Sequence, residues 1–236
     1  MNYLLTIPAK NEESSIANVI TEFLEEACRL GIKLSVQVVD DNSADDTFSI
    51  VDGMKIPILR IESSSSLASV FRKEIELALL TDADVFIHVD ADGQHRAREL
   101  GIFLEVLTKH DLVLGNRMST KPVGMPDINF AANNFLSETI SILCGQRISD
   151  SQTGYRAFHR SIAEQVKISA SFTYTQEQII RSIVQGFTIG EVPIITRCRV
   201  DGVSRLVKNP FYYLKNAFAD IEKLALELQL PLNRRM

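Results

Sequence analysis

Asp90 and Asp92 are separated only by Ala91 and run into Gly93-Gln94-His95. Two carboxylates at that spacing, with the Gln94 amide oxygen beside them, suit a hard cation such as Mg2+ or Mn2+. Such an ion takes few protein carboxylates and fills its shell with phosphate oxygens. It would neutralise a diphosphate leaving group as charge builds on it. The same residue types also make solvated turns, so spacing alone leaves both readings open. Asp40-Asp41-Asn42-Ser43 holds carboxylates able to accept from a nucleobase N–H or a ribose hydroxyl, with Asp45 or Asp46 capping the next helix. Asn11-Glu12-Glu13-Ser14-Ser15 reads equally as a nucleotide edge or as a helix start with favourable acidic charge. Glu177 could act as a general base or bind an acceptor hydroxyl, or merely be an acidic residue in a first helical turn. Arg117, Arg156, Arg197, Arg199 and Arg205 carry planar forks suited to phosphate oxygens, although most surface arginines have no such task. His95 reads first as a turn histidine bonded to backbone.

These clusters need a scaffold that brings them to one edge. Short apolar runs at Tyr3–Pro8, Ser35–Val39, Ile58–Ile61, Val85–Val89 and Leu112–Leu114 read as strands. Between them, helical spacing occupies Ile16–Leu30 (with Gly31 as its stop), Leu67–Leu80 and Leu100–Leu107. The alternation predicts a mostly parallel, doubly wound sheet, in which ligands bind beyond the carboxyl ends of strands. Lys10–Glu12, Asp40–Asn42 and Asp90–Asp92 all fall at such ends. Further on, helices are expected at Asn129–Leu143, Tyr174–Val184 and Asn209–Leu228, and a strand at Phe187–Ile195. With no linker between the halves, residues 1–236 are expected to form one domain. Within it, 1–118 would be one half, 119–208 the other and 209–236 a C-terminal amphipathic helix.

The chain has 236 residues, 45% of them hydrophobic, enough to bury a substantial core. A net charge of −5 argues against nucleic acid as a partner, which needs a basic footprint. Three scattered cysteines, Cys28, Cys144 and Cys198, form neither a disulfide framework nor a zinc pattern and suit a reducing compartment. The first residues lack a basic leader region, and no window reaches the ~18 apolar residues of a membrane span. The expected location is cytoplasmic. The C-terminal stripe of Phe211, Tyr212, Leu214, Phe218, Ile221, Leu224 and Leu228, with Lys208, Lys215, Lys223 and Arg234-Arg235 nearby, either packs on the core or a second copy or lies in a bilayer interface.

Taken together, the motifs resemble family-two, inverting glycosyltransferases of GT-A fold, in particular those acting on polyprenyl phosphates. The matching stretches follow the family's order: Ile7–Glu12, Val38–Ser43, Val89–His95, Gly115–Arg117, Asp150–Arg156, Gln176-Glu177 and Val200–Leu206. The resemblance implies a Rossmann-like, mostly parallel central sheet flanked by helices. It implies that 1–118 is the nucleotide-sugar-binding half, where Pro8, Ala9, Glu12 and Asp40 line the nucleotide, and that 119–208 is the acceptor half. Asp90, Asp92 and Gln94 would hold Mg2+ or Mn2+ and the diphosphate, with Asp92 catalytic. Arg117 would meet an acceptor phosphate, Glu177 would sit near the donor sugar or acceptor, and Arg199 and Arg205 would close over the diphosphate. The implied partners are a nucleotide-sugar donor and a lipid phosphate at the membrane surface, with a second copy of the chain as a further partner. A departure from the family is the segment 126–143, which holds no Arg or Lys.

Overall fold

A computed structural model describes residues 1–62, 66–198 and 210–230. Its strands are β1 (Tyr3–Ala9), β2 (Leu34–Asp40), β3 (Ile58–Arg60), β4 (Val85–His88), β5 (Leu112–Asn116), β6 (Arg156–His159) and β7 (Ile189–Pro193). Its helices are α1 (Ile16–Leu30), α2 (Thr47–Gly53), α3 (Leu67–Leu79), α4 (Leu100–Leu107), α5 (Asp127–Cys144), α6 (Arg160–Gln165), α7 (Tyr174–Val184) and α8 (Pro210–Glu227). One sheet runs in the order β3-β2-β1-β4-β6-β5-β7. Every pairing is parallel except those of β6, which runs antiparallel to both β4 and β5. The mostly parallel sheet expected from the alternation is therefore present, with one reversed strand inside it.

The strands read as near-continuous apolar runs because helices cover both faces of the sheet. On one face, Phe23, Ile16 and Ile20 of α1 pack with Ile7, Val38, Ile87 and Phe103. On the other, Leu136 and Ile140 of α5, Ile179 and Ile180 of α7, and Ile221 and Leu224 of α8 pack with Leu4, Phe86 and Phe158. Helix α1 buries the residues that recur at three- and four-residue steps. It ends at Gly31, whose φ of 67° is the left-handed conformation glycine adopts without a Cβ penalty.

Three elements escape sequence reading. β6 is four residues long, opens with Arg and ends with His, so it shows no apolar run. α2 and α6 are short, at 7 and 6 residues, too brief for a periodic signal. Much of the apolar stripe of α8 packs on the core: Ile221 and Leu224 are buried, and Leu214, Phe218 and Leu228 pack partly against the same cluster, while Tyr212 is exposed. That is the core-packing alternative for this stripe. The side chain of Phe211 and the residues Lys208, Arg234 and Arg235 lie outside the described residues, as do Ser63–Ser65.

Candidate functional site

The sheet brings the ends of β1, β2, β4 and β5 to one edge, and the loops there are tied to one another. After β1, the Asn11 N–H donates to Ser43 Oγ at 2.8 Å and the Glu12 N–H to Thr47 Oγ1 at 2.8 Å. In return the Ala44 N–H donates to Asn11 Oδ1 at 2.7 Å and the Asp46 N–H to Glu13 Oε2 at 2.9 Å. Asn11, Glu12 and Glu13 thus stitch the β1 loop to the β2 loop. Ser15, at the N-cap position of α1, makes no side-chain cap bond. Its hydroxyl donates to the Ala91 carbonyl at 2.7 Å, and Glu12 Oε2 lies 3.4 Å from the same hydroxyl. Glu12 is thereby joined to the Asp90–Asp92 loop. Asp45 accepts from the Thr47 N–H at 3.0 Å, while Asp46, at the N-cap position of α2, makes no side-chain cap bond.

Asp90 stands just past β4, its side chain 35% exposed. His95 Nε2 approaches Asp90 Oδ2 at 3.3 Å, so His95 engages this carboxylate and not backbone. Burial by itself would raise the Asp90 pKa. The hydrogen bond and charge of His95, with the charges of His88 and Arg117, outweigh it and hold the carboxyl well below the usual carboxylate range. Asp90 is thus an anion across the physiological range. Gly154 leaves room for it: a Cβ there would lie 2.6 Å from Asp90 Cγ. Asp92 is buried and its Oδ1 accepts from the Gln94 N–H at 3.0 Å. Gln94 itself holds the strand-like segment beyond β7, its carbonyl accepting from the Arg197 N–H at 2.9 Å. Among the described residues no group of three or more His, Cys, Asp or Glu could hold a metal by itself. Asp90, part-exposed, and Asp92, buried, thus stand two residues apart just beyond β4.

Arg117 follows β5 and grips Asp150 with a two-pronged contact, Nε to Oδ2 at 2.7 Å and Nη2 to Oδ1 at 2.9 Å. Burial would lower its pKa, but the charge and hydrogen bonds of Asp150, with the charge of Asp90, raise it above the ordinary arginine value. The Nη1 group is left over by this grip. Below lies a buried polar layer. Arg156 is fully buried and donates to the carbonyls of Thr153, Thr175 and Ser151 and to Gln178 Oε1. Burial pulls it down to about 10, and its neutral acceptors mark it as a structural cation.

Two expected ligands are turned to other work. Asp40 is fully buried. Arg60 Nε donates to its Oδ2 at 2.6 Å, and the Ser43 hydroxyl binds its Oδ1. It is therefore not presented as an acceptor for a nucleobase or ribose. Arg60, which sequence reasoning missed, also lies 4.4 Å over the Phe48 ring. Glu177 is also buried. Its Oε2 accepts from the N–H groups of Ser169 and Ala170 at 2.9 and 2.7 Å. Its Oε1 accepts from Ser169 Oγ at 2.8 Å and Arg181 Nε at 2.7 Å. Four donors leave this carboxylate no free acceptor site for a base's proton, so it pins the turn before α7. Pro8 and Ala9 close β1 beside Val39 and Asp40. Arg199 and Arg205 lie outside the described residues.

The model of the family described as "Glycosyl transferase family 2" matches residues 5–167. The chain belongs to glycosyl transferase family 2. This family 2 glycosyltransferase is 28% identical over 224 residues to a dolichyl-phosphate hexose transferase of Haloferax volcanii, covering 94% of this chain and 93% of that protein. It is 26% identical over 220 residues to a polyprenol monophosphomannose synthase of Mycolicibacterium smegmatis, covering 86% and 80%. Among solved structures, mannosyl-3-phosphoglycerate synthase from Rubrobacter xylanophilus superposes with a TM-score of 0.74 at 14% identity, over 100% of this chain and 77% of that one. Glucosyl-3-phosphoglycerate synthase from Mycobacterium tuberculosis, solved with Mn2+, uridine diphosphate and phosphoglyceric acid, gives 0.70 at 13% identity, over 98% and 80%. The fold is that of the GT-A glycosyltransferases. No helix among the described residues is long and apolar enough to cross a membrane.

Proposed function

We propose that this glycosyltransferase moves a hexose from a UDP- or GDP-linked donor to a polyprenyl-type phosphate, with inversion at the anomeric carbon. The observation that carries the acceptor reading is the occupied state of Glu177. A hydroxyl acceptor needs a base, and the carboxylate best placed in sequence to be one already accepts four hydrogen bonds. A phosphate monoester has its second pKa near ~6 and arrives as an anionic nucleophile. It needs positioning only. The relatives named as dolichyl-phosphate and polyprenol-phosphate enzymes support the same choice.

In this reading Asp90 and Asp92 hold a divalent cation, Mg2+ or Mn2+, with Gln94 beside them. The cation, when bound, neutralises the departing nucleoside diphosphate. His95 keeps Asp90 oriented and ionised. Pro8, Ala9 and Glu12 edge the nucleotide, and Asp40 fixes the end of β2 and Arg60 behind it. Asp150 locks the Arg117 guanidinium so that its remaining N–H groups meet the acceptor phosphate. Arg199 and Arg205 would screen the diphosphate. The chain works as one domain, at the membrane face where such an acceptor resides.

The test is a screen of UDP- and GDP-sugars against a short-chain, water-soluble polyprenyl phosphate, with and without Mg2+ or Mn2+. The expected result is metal-dependent formation of a sugar–phospholipid with inverted configuration. Transfer to sugar hydroxyls but never to the phosphate would overturn the acceptor assignment. Metal-independent turnover would overturn the role of Asp90 and Asp92.

A further inference from the structure

Helix α5 turns an unusual face outward. Its inward residues, Ala132, Leu136, Ile140 and Leu143, are buried. Its outward residues recur three and four positions apart: Ile128, Ala131, Phe135, Glu138 and Ile142 are all exposed. Ile128, Phe135 and Ile142 are 50%, 53% and 55% exposed. Their seven-residue spacing stacks them along the helix about 10 Å apart. Val123, in the turn before α5, is also exposed, and the Phe135 ring lies 5.6 Å from Phe218 of α8. A surface helix ordinarily shows polar residues to water. Here the charged residues on the stripe are Glu138 and, at the first position of the helix, Asp127, which pairs with Lys121.

We infer that this face of α5 docks on a lipid bilayer, its apolar side chains entering the boundary between headgroups and acyl chains. The inference rests on the proposed lipid-phosphate acceptor and names the surface that would bring the enzyme to it. The exposed apolar area is roughly 400 Å2, the size of a functional surface patch and about half of the ~800 Å2 per partner in a stable dimer. A shallow patch of this kind suits an interface that asks for depth and not for shape complementarity. The helix that carries this face reaches the acceptor side of the site through its buried flank. The Ser151 N–H donates to Ser137 Oγ of α5 at 3.0 Å, and the neighbouring Asp150 holds Arg117. The basic C-terminal helix was the sequence's candidate for this task, but Ile221 and Leu224 of its stripe are buried and Leu214, Phe218 and Leu228 pack partly on the core.

The test is co-sedimentation with phosphatidylcholine–phosphatidylglycerol vesicles, without donor or acceptor. It compares the wild type, a Phe135→Asp/Ile142→Asp double variant, a Phe135→Ser/Ile142→Ser double variant and Leu80→Asp. Leu80 is an exposed leucine at the C-cap of α3 and controls for general stickiness. The wild type and Leu80→Asp are expected to bind alike, and both double variants to lose binding about tenfold or more, with melting temperatures unchanged. Wild-type protein left in the supernatant, or double variants that sediment normally, would overturn the inference. Light scattering supplies a further check: a wild-type dimer that the variants convert to monomer would assign the face to a second copy instead. Transfer to the short-chain soluble phosphate is measured separately and should be the same in all four proteins. Its absence alongside intact vesicle binding would sink the acceptor reading while the docking face stood.

Discussion

Gly154 faces Asp90 so closely that a Cβ built on it would lie 2.6 Å from Asp90 Cγ. The cause is the antiparallel register of β4 and β6. His88 pairs with Arg156 and Ile87 with Ala157, and continuing that ladder two residues sets Gly154 opposite Asp90. Gly154→Ala is therefore expected to push the carboxylate from its place. A displacement of about 1 Å at a reacting centre costs on the order of 100-fold in rate. Metal titration of donor hydrolysis should show the loss in apparent metal affinity and kcat together. Unchanged kinetics would remove Asp90 from the reacting centre.

The Arg117–Asp150 pair gives a stability prediction. Asp150 is fully buried and Arg117 mostly so. Asp150→Asn leaves the guanidinium without its charge partner, which for a buried pair costs about 3 kcal/mol. In a chain of this length that lowers the melting temperature by roughly 10 °C. Arg117→Lys keeps the charge but loses the two-pronged grip. It is expected to raise KM for the acceptor phosphate with a smaller effect on KM for the donor.

Glu177→Gln separates a structural from a chemical role. The amide nitrogen cannot accept from Ser169, Ala170 or Arg181, so at least one of these donors is left unpaired at about 1–3 kcal/mol. Thermal denaturation should show the fall in stability. Turnover below the melting range should stay within about threefold of wild type. A loss of several orders of magnitude in kcat, with the fold intact, would restore Glu177 as a base and the hydroxyl-acceptor reading.

Beneath the site, Glu74 Oε1 stands 3.4 Å from His88 Nδ1, both side chains fully buried. Burial raises the Glu74 pKa, and the charge and hydrogen bond of His88 only partly oppose it. A carboxyl whose folded pKa lies above its unfolded value favours the folded state fully below the unfolded value, near ~4.3. That contribution is lost as pH rises through the folded value. Stability of the wild type should therefore decline relative to Glu74→Gln as pH rises from about 4 into the neutral range. Denaturant midpoints at successive pH values read this directly, and parallel curves for the two proteins would contradict it.

Much of the scaffold is legible in the chain itself. Local apolar periodicity marks the strands ending at Ala9, Asp40 and Asn116 and the helices Ile16–Leu30, Leu100–Leu107 and Tyr174–Val184. That suffices because each of those elements buries a continuous apolar run or stripe. The rule that ligands meet strand ends then makes Asp90-Ala91-Asp92 a candidate site. What each polar residue does there is another matter. Asp40 and Glu177 sit in motifs that suit ligand contacts, yet Arg60 arrives from a neighbouring strand and Ser169, Ala170 and Arg181 from the turn and helix around α7 to occupy them. A one-dimensional pattern records a residue's type and not the number of donors that converge on it.

The sequence by itself determined the alternation of elements and the acidic strand ends, because those depend on neighbours within a few residues. Tertiary structure alone decided that β6 runs backward between β4 and β5, putting Gly154 against Asp90 and Asp150 under Arg117. It also decided which apolar stripe is spent in the core, on α8, and which is left for another surface, on α5. Both decisions turn on pairings between residues tens of positions apart, where one strand's register or one helix's rotation chooses which side chains meet.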